Sequence, residues 1–422
     1  MSILIRNVLL EGRELDVFIR GARFERIGPG LDLEAERVLD GRGKAIMPSF
    51  VNCHTHAAMT LFRGYADDME LHTWLENYIW PMEGTLSEED VYVGAKLACL
   101  EMIKSGCTYF NDMYWYFPST VRAVREMGIR AALSSVFIDF NDPDTADRRW
   151  RECLELHACY AGSDERIDFA LGPHAVYSVS RDSLIKAGRF AAEHGLLIHI
   201  HLCETRKEVE DARQMFGMSP VQYLDELGLL GPNLCACHCI WLQERDMDLL
   251  AERGVKVVHN PVSNLKLCSG LFPYRELSRR GVTIGLGTDG CSSNNNLDLV
   301  EEMKFAALVH KHSSGDPTLL SAPEVLRMAT RDGCRIFGLD AGEIAEGWLA
   351  DCILVDLDHP QLVPGYNLMS NMVYAANGAC VDTTICNGRI LMAGRRVEGE
   401  REILEQARET ARRLKQKAGR AG

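Results

Sequence analysis

Three short stretches carry side chains that can hold a metal ion and move protons. "FVNCHTH" ends on His54 and His56. Both follow an apolar run, and residues two apart on a strand share a face. Two imidazoles placed so can converge on one cation. "LLIHIHLCE" sets His199, His201 and Cys203 on one face of a strand and Ile198, Ile200 and Leu202 on the other. Spacing leaves both histidines open as ligands. His201 lies nearer the strand end and is favoured, with His199 expected as a hydrogen-bonded histidine below it. Glu204 follows at once and is placed for proton transfer, the plainer alternative being a residue that merely opens a helix. "TIGLGTDG" matches G-x-G-x-x-G through Gly285, Gly287 and Gly290, yet Asp289 would set a carboxylate against a pyrophosphate. Asp289 reads better as a hard oxygen ligand and base.

A fourth stretch, "NLCACHCIW", packs Cys235, Cys237, Cys239 and His238 into five positions. On a strand the three cysteines share a face with neighbours roughly 6.6 to 7 Å apart. That is too far for short thiolates that bind zinc at about 2.3 Å each. The thiols are therefore expected to face surrounding helices, while His238, with Ala236 and Ile240, faces the interior.

These residues need a scaffold that brings distant strand ends together. From about residue 50 to 340, apolar strand-like runs ("CTYFND", "RAALSSVFI", "IDFALGPHA", "VKVVHNP") alternate with amphipathic helical stretches such as "RDSLIKAGRFAAEHG". About eight such units predict a closed (β/α)8 barrel whose chemistry sits at the C-terminal ends of its strands. Short strands at both termini predict a small β-sandwich built from residues 1–49 and 342–422, the latter ending in a charged helix, beside a catalytic barrel over 50–341.

Composition sets bounds. The chain has 422 residues, 46% hydrophobic and 25% charged, with a formal charge of −14. This is a globular composition, and the acidic balance argues against binding nucleic acid through phosphates. No apolar run approaches the roughly 18 to 20 residues that span a bilayer, and the N-terminus lacks a signal-peptide core. The fifteen cysteines are expected to be reduced, in a cytoplasmic protein.

His-x-His, a later His and an Asp closing an apolar strand together resemble the amidohydrolase superfamily, over essentially the whole chain. "PMEGTLSEEDVYVGAKLACLEMIKSG", "HNPVSNLKLCSG" and "LGTDGCSSNNNLDLVEEMK" are similar to its branch of 5'-methylthioadenosine/S-adenosylhomocysteine deaminases. The resemblance implies one divalent metal, Zn2+ with Fe2+ or Mn2+ as alternatives, held by His54, His56, His201 and Asp289. It implies Glu83 on ribose hydroxyls, His174 on the substrate, and Glu204 and His238 at the purine's reacting edge. In that scheme the metal lowers the pKa of water, Asp289 takes the proton, Glu204 donates one to N1, His238 stabilises the attacking oxygen, and ammonia leaves. A second metal would need a lysine on the fourth strand, and "DFALGPHAVYS" has none. The expected ligand is a small-molecule nucleoside, with neither nucleic acid nor membrane as partner, and a homo-oligomer is expected.

"AALSSVF" lacks the arginine that many members of the branch place there to meet a charged substrate tail. Arg148, Arg149 and Arg151 in "DRRWRE" are the candidates to replace it. Trp74, Trp80, Tyr114 and Trp115 could instead shape an apolar pocket for a short neutral 5' group. Competing readings are a deaminase or chlorohydrolase of another amino-aromatic ring (guanine, pterin or triazine), a barrel that has lost its chemistry, and a nicotinamide enzyme resting on "GLGTDG". The cytidine-deaminase and H-E-x-x-H signatures are absent.

Overall fold

The computed structural model describes residues 1–69 and 71–421, with the side chains of His72 and of residues 418–421 left aside. Its strands form two sheets. The first contains β1 (Ser2–Leu10), β2 (Arg13–Arg20), β3 (Arg23–Gly28), β4 (Arg37–Asp40) and β5 (Lys44–Pro48). The second contains β6 (Phe50–His56), β7 (Cys107–Met113), β8 (Arg130–Phe137), β9 (Ile167–Pro173), β10 (Leu197–Leu202), β11 (Leu234–His238), β12 (Lys256–His259), β13 (Ile284–Leu286) and β14 (Asp289–Gly290). The last three strands, β15 (Cys352–Asp356), β16 (Val381–Cys386) and β17 (Arg389–Met392), return to the first sheet.

The second sheet is a closed (β/α)8 barrel. Its neighbours run parallel from β6 to β12, and β13 and β14 are two halves of one eighth strand: β13 pairs with β12, and β14 pairs with β6. The strand breaks because it presses on the first. A Cβ on Gly285 would lie 2.6 Å from the Cys53 thiol, and one on Gly287 would lie 2.9 Å from the backbone nitrogen of His54. The glycines of "GLGTDG" thus serve close approach of two strands, and the fingerprint reading fails on that geometry. Helices follow the strands. "SEEDVYVGAKLACLEMIKSG" is typical: Ser87 and Asp90 form a capping box, the helix runs Glu88–Ser105, and Gly106 ends it at φ 89°.

Alternation along the strands sorts side chains as expected on β10, where Ile198, Ile200 and Leu202 pack outward against the helices. On β11 the expectation is reversed. Ala236 packs outward, whereas Cys235 and Cys237 point into the barrel and pack with Val51, Cys53, Tyr109 and Val258. The register gives the reason. On a parallel ladder, residues in register share a face, and Cys235 stands opposite His199, Cys237 opposite His201. His238 should then face outward. It enters the barrel mouth because its backbone leaves the strand conformation, at φ 73°, followed by Cys239 at φ 50°. Only Cys239 of the three cysteines packs on the helix side. None of the fifteen cysteines is in a disulfide.

The terminal strands form one sheet in the order β17-β16-β15-β5-β1-β2-β3, with β4 also on β1. It curls back on itself, since Phe24 N–H donates to the Trp348 carbonyl at 2.9 Å and Ala350 N–H to that of Ala22 at 2.7 Å. The curl encloses Ile3, Val17, Ile19, Phe24, Cys352 and Leu354. It is tied to the barrel by a buried ion pair, Arg130 Nε to Asp351 Oδ2 at 2.8 Å. The helix Glu400–Ala421 lies against the barrel instead: Leu414 joins Trp74, Ile79, Met82 and Val91 in one cluster. No described helix is long and apolar enough to cross a membrane.

Candidate metal and substrate site

His54, His56, His201 and Asp289 arrive at the barrel mouth from the first, fifth and eighth strands. His54 Nε2 and His56 Nε2 each lie 3.3 Å from Asp289 Oδ1, and His201 Nε2 lies 3.3 Å from His56 Nε2. Ligands bound at ~2.0–2.2 Å to one tetrahedral ion stand about 3.3–3.6 Å apart, so this spacing suits a single cation. The other side of each ring supports the same reading. His56 Nδ1 donates to the Met113 carbonyl at 2.7 Å and His201 Nδ1 to that of His174 at 2.8 Å. In the neutral rings both Nε2 atoms then present lone pairs to each other, an arrangement that a shared cation relieves. His54 Nδ1 meets His199 Nε2 at 2.8 Å, His199 Nδ1 meets the Ser134 hydroxyl at 3.2 Å, and buried His54 Nε2 has no hydrogen-bond partner. The donor set fits a divalent metal.

Asp289 sits at φ 62°. Its Oδ2 accepts from the Ser263 hydroxyl at 2.7 Å and the Ser293 hydroxyl at 3.0 Å, and its Oδ1 accepts from Gly290 N–H at 2.9 Å. Burial opposes its charge, yet the His54 and His56 imidazoles beside it hold the carboxyl well below the usual range. Glu204 is the opposite case. Burial, helped by the negative charge of Asp289, pushes its carboxyl up to about 8. Glu204 Oε2 lies 3.8 Å from His238 Nε2. The turn carrying it is pinned by Glu208, whose carboxylate accepts the N–H groups of Cys203 and Glu204, each at 2.8 Å.

His56, His201, Glu204, His238 and Asp289 line one cavity with Glu83 and His174, and His54 is fully buried. Glu83 is pushed up by burial against the pull of Tyr114, His56 and Trp115. His174 Nδ1 meets the Ser178 hydroxyl at 2.8 Å. Leu71, Trp74, Ile79, Trp80, Val136 and Ile138 form apolar wall, and no described Lys or Arg lines the cavity. Arg148 bonds the Thr145 hydroxyl at 3.2 Å, and Arg151 bonds the Asp147 carbonyl at 3.3 Å. Arg149 lies 4.8 Å from the Trp115 ring and pairs with Glu152 at 2.9 Å. None of the three takes the place of the missing arginine in the cavity lining.

A family model described as the amidohydrolase family matches residues 45–391. The chain belongs to the amidohydrolase family. This amidohydrolase is 46% identical over 419 residues to 5-methylthioadenosine/S-adenosylhomocysteine deaminase 1 of Archaeoglobus fulgidus, a match covering 98% of this chain and 97% of the relative. It is 48% identical over 381 residues to the 5'-deoxyadenosine deaminase of Methanothermobacter thermautotrophicus, covering 90% and 88%. Among solved structures, a zinc-bound adenosine deaminase from Xanthomonas campestris superposes with a TM-score of 0.93 at 34% identity, covering 98% of both chains.

Several residues around this amidohydrolase site were not singled out from sequence: Asn260, Ser263, Asn264, Ser293 and Glu208. Asn260, Ser263 and Asn264 all lie in "HNPVSN", directly after the seventh strand. A run of Asn and Ser at the C-terminal end of a barrel strand was the available signal, because that is the face where barrel chemistry collects.

Proposed function

We propose that the protein is a metal-dependent hydrolytic deaminase of adenosines bearing a short uncharged 5' group, yielding the inosine analogue and ammonia. The observation that carries this reading is the four-donor cluster of His54, His56, His201 and Asp289 at a cavity that also holds Glu204, His238 and Glu83. Likeness across nearly the whole chain to deaminases of 5'-modified adenosines supports the substrate class.

His54, His56, His201 and Asp289 would hold the ion, with zinc favoured by the zinc-bound neighbour. When bound, a divalent cation supplies Lewis acidity that brings the pKa of water toward neutrality. The protein's own residues do the rest. Glu204, at about 8, keeps its proton at pH 7 and gives it to N1 of the purine, making C6 electrophilic. Asp289, held anionic, accepts a proton from the attacking water and returns it to the departing amino group, and the hydroxyl left on C6 gives its proton back to Glu204 as the carbonyl forms. His238 presents Nε2 to the attacking oxygen as charge develops there. Glu83 accepts from the ribose hydroxyls, His174 sets the position of the nucleoside, and the apolar wall excludes water from the 5' side.

Adenosine, 5'-deoxyadenosine, 5'-methylthioadenosine and S-adenosylhomocysteine, each assayed for ammonia release and loss of adenine absorbance, test the reading. The uncharged 5' groups should give kcat/KM at least tenfold above S-adenosylhomocysteine. Ammonia from guanine or a pterin, with none from any adenosine, overturns it.

A further inference from the structure

The imidazole of His238 is held from behind by two carboxamides. Asn264 Nδ2 lies 2.9 Å from His238 Nδ1 and Asn260 Nδ2 lies 3.3 Å from the same atom. Asn264 is 2% exposed and Asn260 fully buried, so the contacts do not compete with solvent. Asn260 precedes and Asn264 lies within the short helix Pro261–Lys266, which follows β12 directly. The residue between them in the chain that faces the site, Ser263, gives its hydroxyl to Asp289 at 2.7 Å. One turn of backbone therefore reaches the two groups that flank the attacking oxygen in the proposed reaction.

A neutral imidazole has one nitrogen that donates and one that accepts, and an amide NH2 can only donate. As the carboxamides stand, each with Nδ2 turned to the ring, Nδ1 is the acceptor. The hydrogen must then sit on Nε2, the nitrogen that faces Glu204 Oε2 across 3.8 Å and opens on the cavity. We infer that Asn264, backed by Asn260, is a positioning residue that fixes His238 as the Nε2–H tautomer, making it a hydrogen-bond donor to the attacking oxygen and not a base that takes its proton. This rests on the proposed deamination for its consequence, but the tautomer itself does not. A base at this position would need the Nε2 lone pair, which this pairing puts out of reach. The proton from the attacking water is left to Asp289, whose other oxygen the same helix holds.

The test uses the zinc-loaded full chain labelled with 15N-histidine. Long-range proton–nitrogen correlation separates the two neutral tautomers, and H238Q identifies the His238 signals by their loss. The wild-type protein should show the Nε2–H form. N264D keeps the side-chain size and replaces the donor with an acceptor, so His238 should turn to the Nδ1–H form. Its kcat should fall by about 10²- to 10³-fold, the cost of losing one donor to a developing oxyanion, with KM within threefold and zinc content unchanged. N264A, which leaves Asn260 as the remaining donor, should show a smaller loss of kcat and keep the wild-type tautomer. An Nδ1–H signal in the wild-type protein overturns the inference whatever the variants do. So does N264D with kcat within threefold of wild type, or a kcat loss that only matches lost zinc. Failure to deaminate any adenosine would overturn the proposed function while leaving the tautomer measurement to stand or fall alone.

Discussion

β10 and β11 lie side by side in register, and each delivers one histidine to the site by a different route. β10 keeps its pleat to the end, so His201 arrives on the same interior face as His199. β11 carries Cys235 and Cys237 on that face, and His238 reaches the mouth only because its backbone turns to φ 73°. The pleat can place a ligand with the precision of the sheet itself. The turn places a group one residue later, where the pleat alone would have sent it outward, and needs outside support. Asn260 and Asn264 supply that support for His238, as backbone carbonyls do for His56 and His201. The contrast separates the proposed metal-holding wall from the proposed proton-handling wall.

Substitutions on the two walls should therefore fail differently. The largest effect is expected from H201A, which removes a pleat-placed donor. Bound metal should be lost and activity should fall by at least 10⁴-fold, read by metal analysis beside turnover. Activity that survives with metal absent would break the assignment. Next comes E204Q, on the turned side, with a loss of about 10²- to 10⁴-fold, the range for a general acid, and metal retained. Its pH dependence carries the sign. Glu204 is raised to about 8, so the acid form is present below that value and is lost as pH rises through it. Wild-type kcat/KM should fall above about pH 8, and the residual activity of E204Q should lack that limb. H238Q should reduce kcat by about 10²- to 10³-fold with metal content unchanged; loss of metal would move His238 to the other wall. The smallest effect is expected from C237A. Its thiol packs in the barrel floor close to His54 and His199, so the change should cost about 1–2 kcal/mol in denaturant unfolding and leave turnover within threefold. Metal loss in C237A would show the thiol to be a ligand.

The sequence made the barrel legible because eight apolar runs alternate with helices, and it made His54 and His56 legible because they end the first run. Alternation tells which residues share a face but not which face is inside, and on β11 Cys235 and Cys237 face the interior against expectation, although His238 still reaches the mouth. The missing information was the register with β10: once His201 is interior, Cys237 opposite it must be interior too. The glycines of "GLGTDG" match a fingerprint without carrying its function for a related reason. Their role depends on how near the first strand comes, and no spacing within one segment records that distance. Glu208 sits in the first turn of its helix, and nothing in its spacing tells that its carboxylate holds the turn beneath Glu204.

The pairing of β5 with β15 sets a timetable for the chain's birth. Met47 stands opposite Ile353 on this antiparallel ladder, so roughly 300 residues, the whole barrel among them, emerge between the two partners. At about 5–20 residues per second, β5 waits some 15–60 s on the ribosome with its edge open. The barrel can close in that interval, but the curled sheet must finish afterwards. Its last seam is among the most distant contacts in the molecule, the kind that forms slowest. An open strand edge held for that long is a target for a passing chaperone or for another nascent copy.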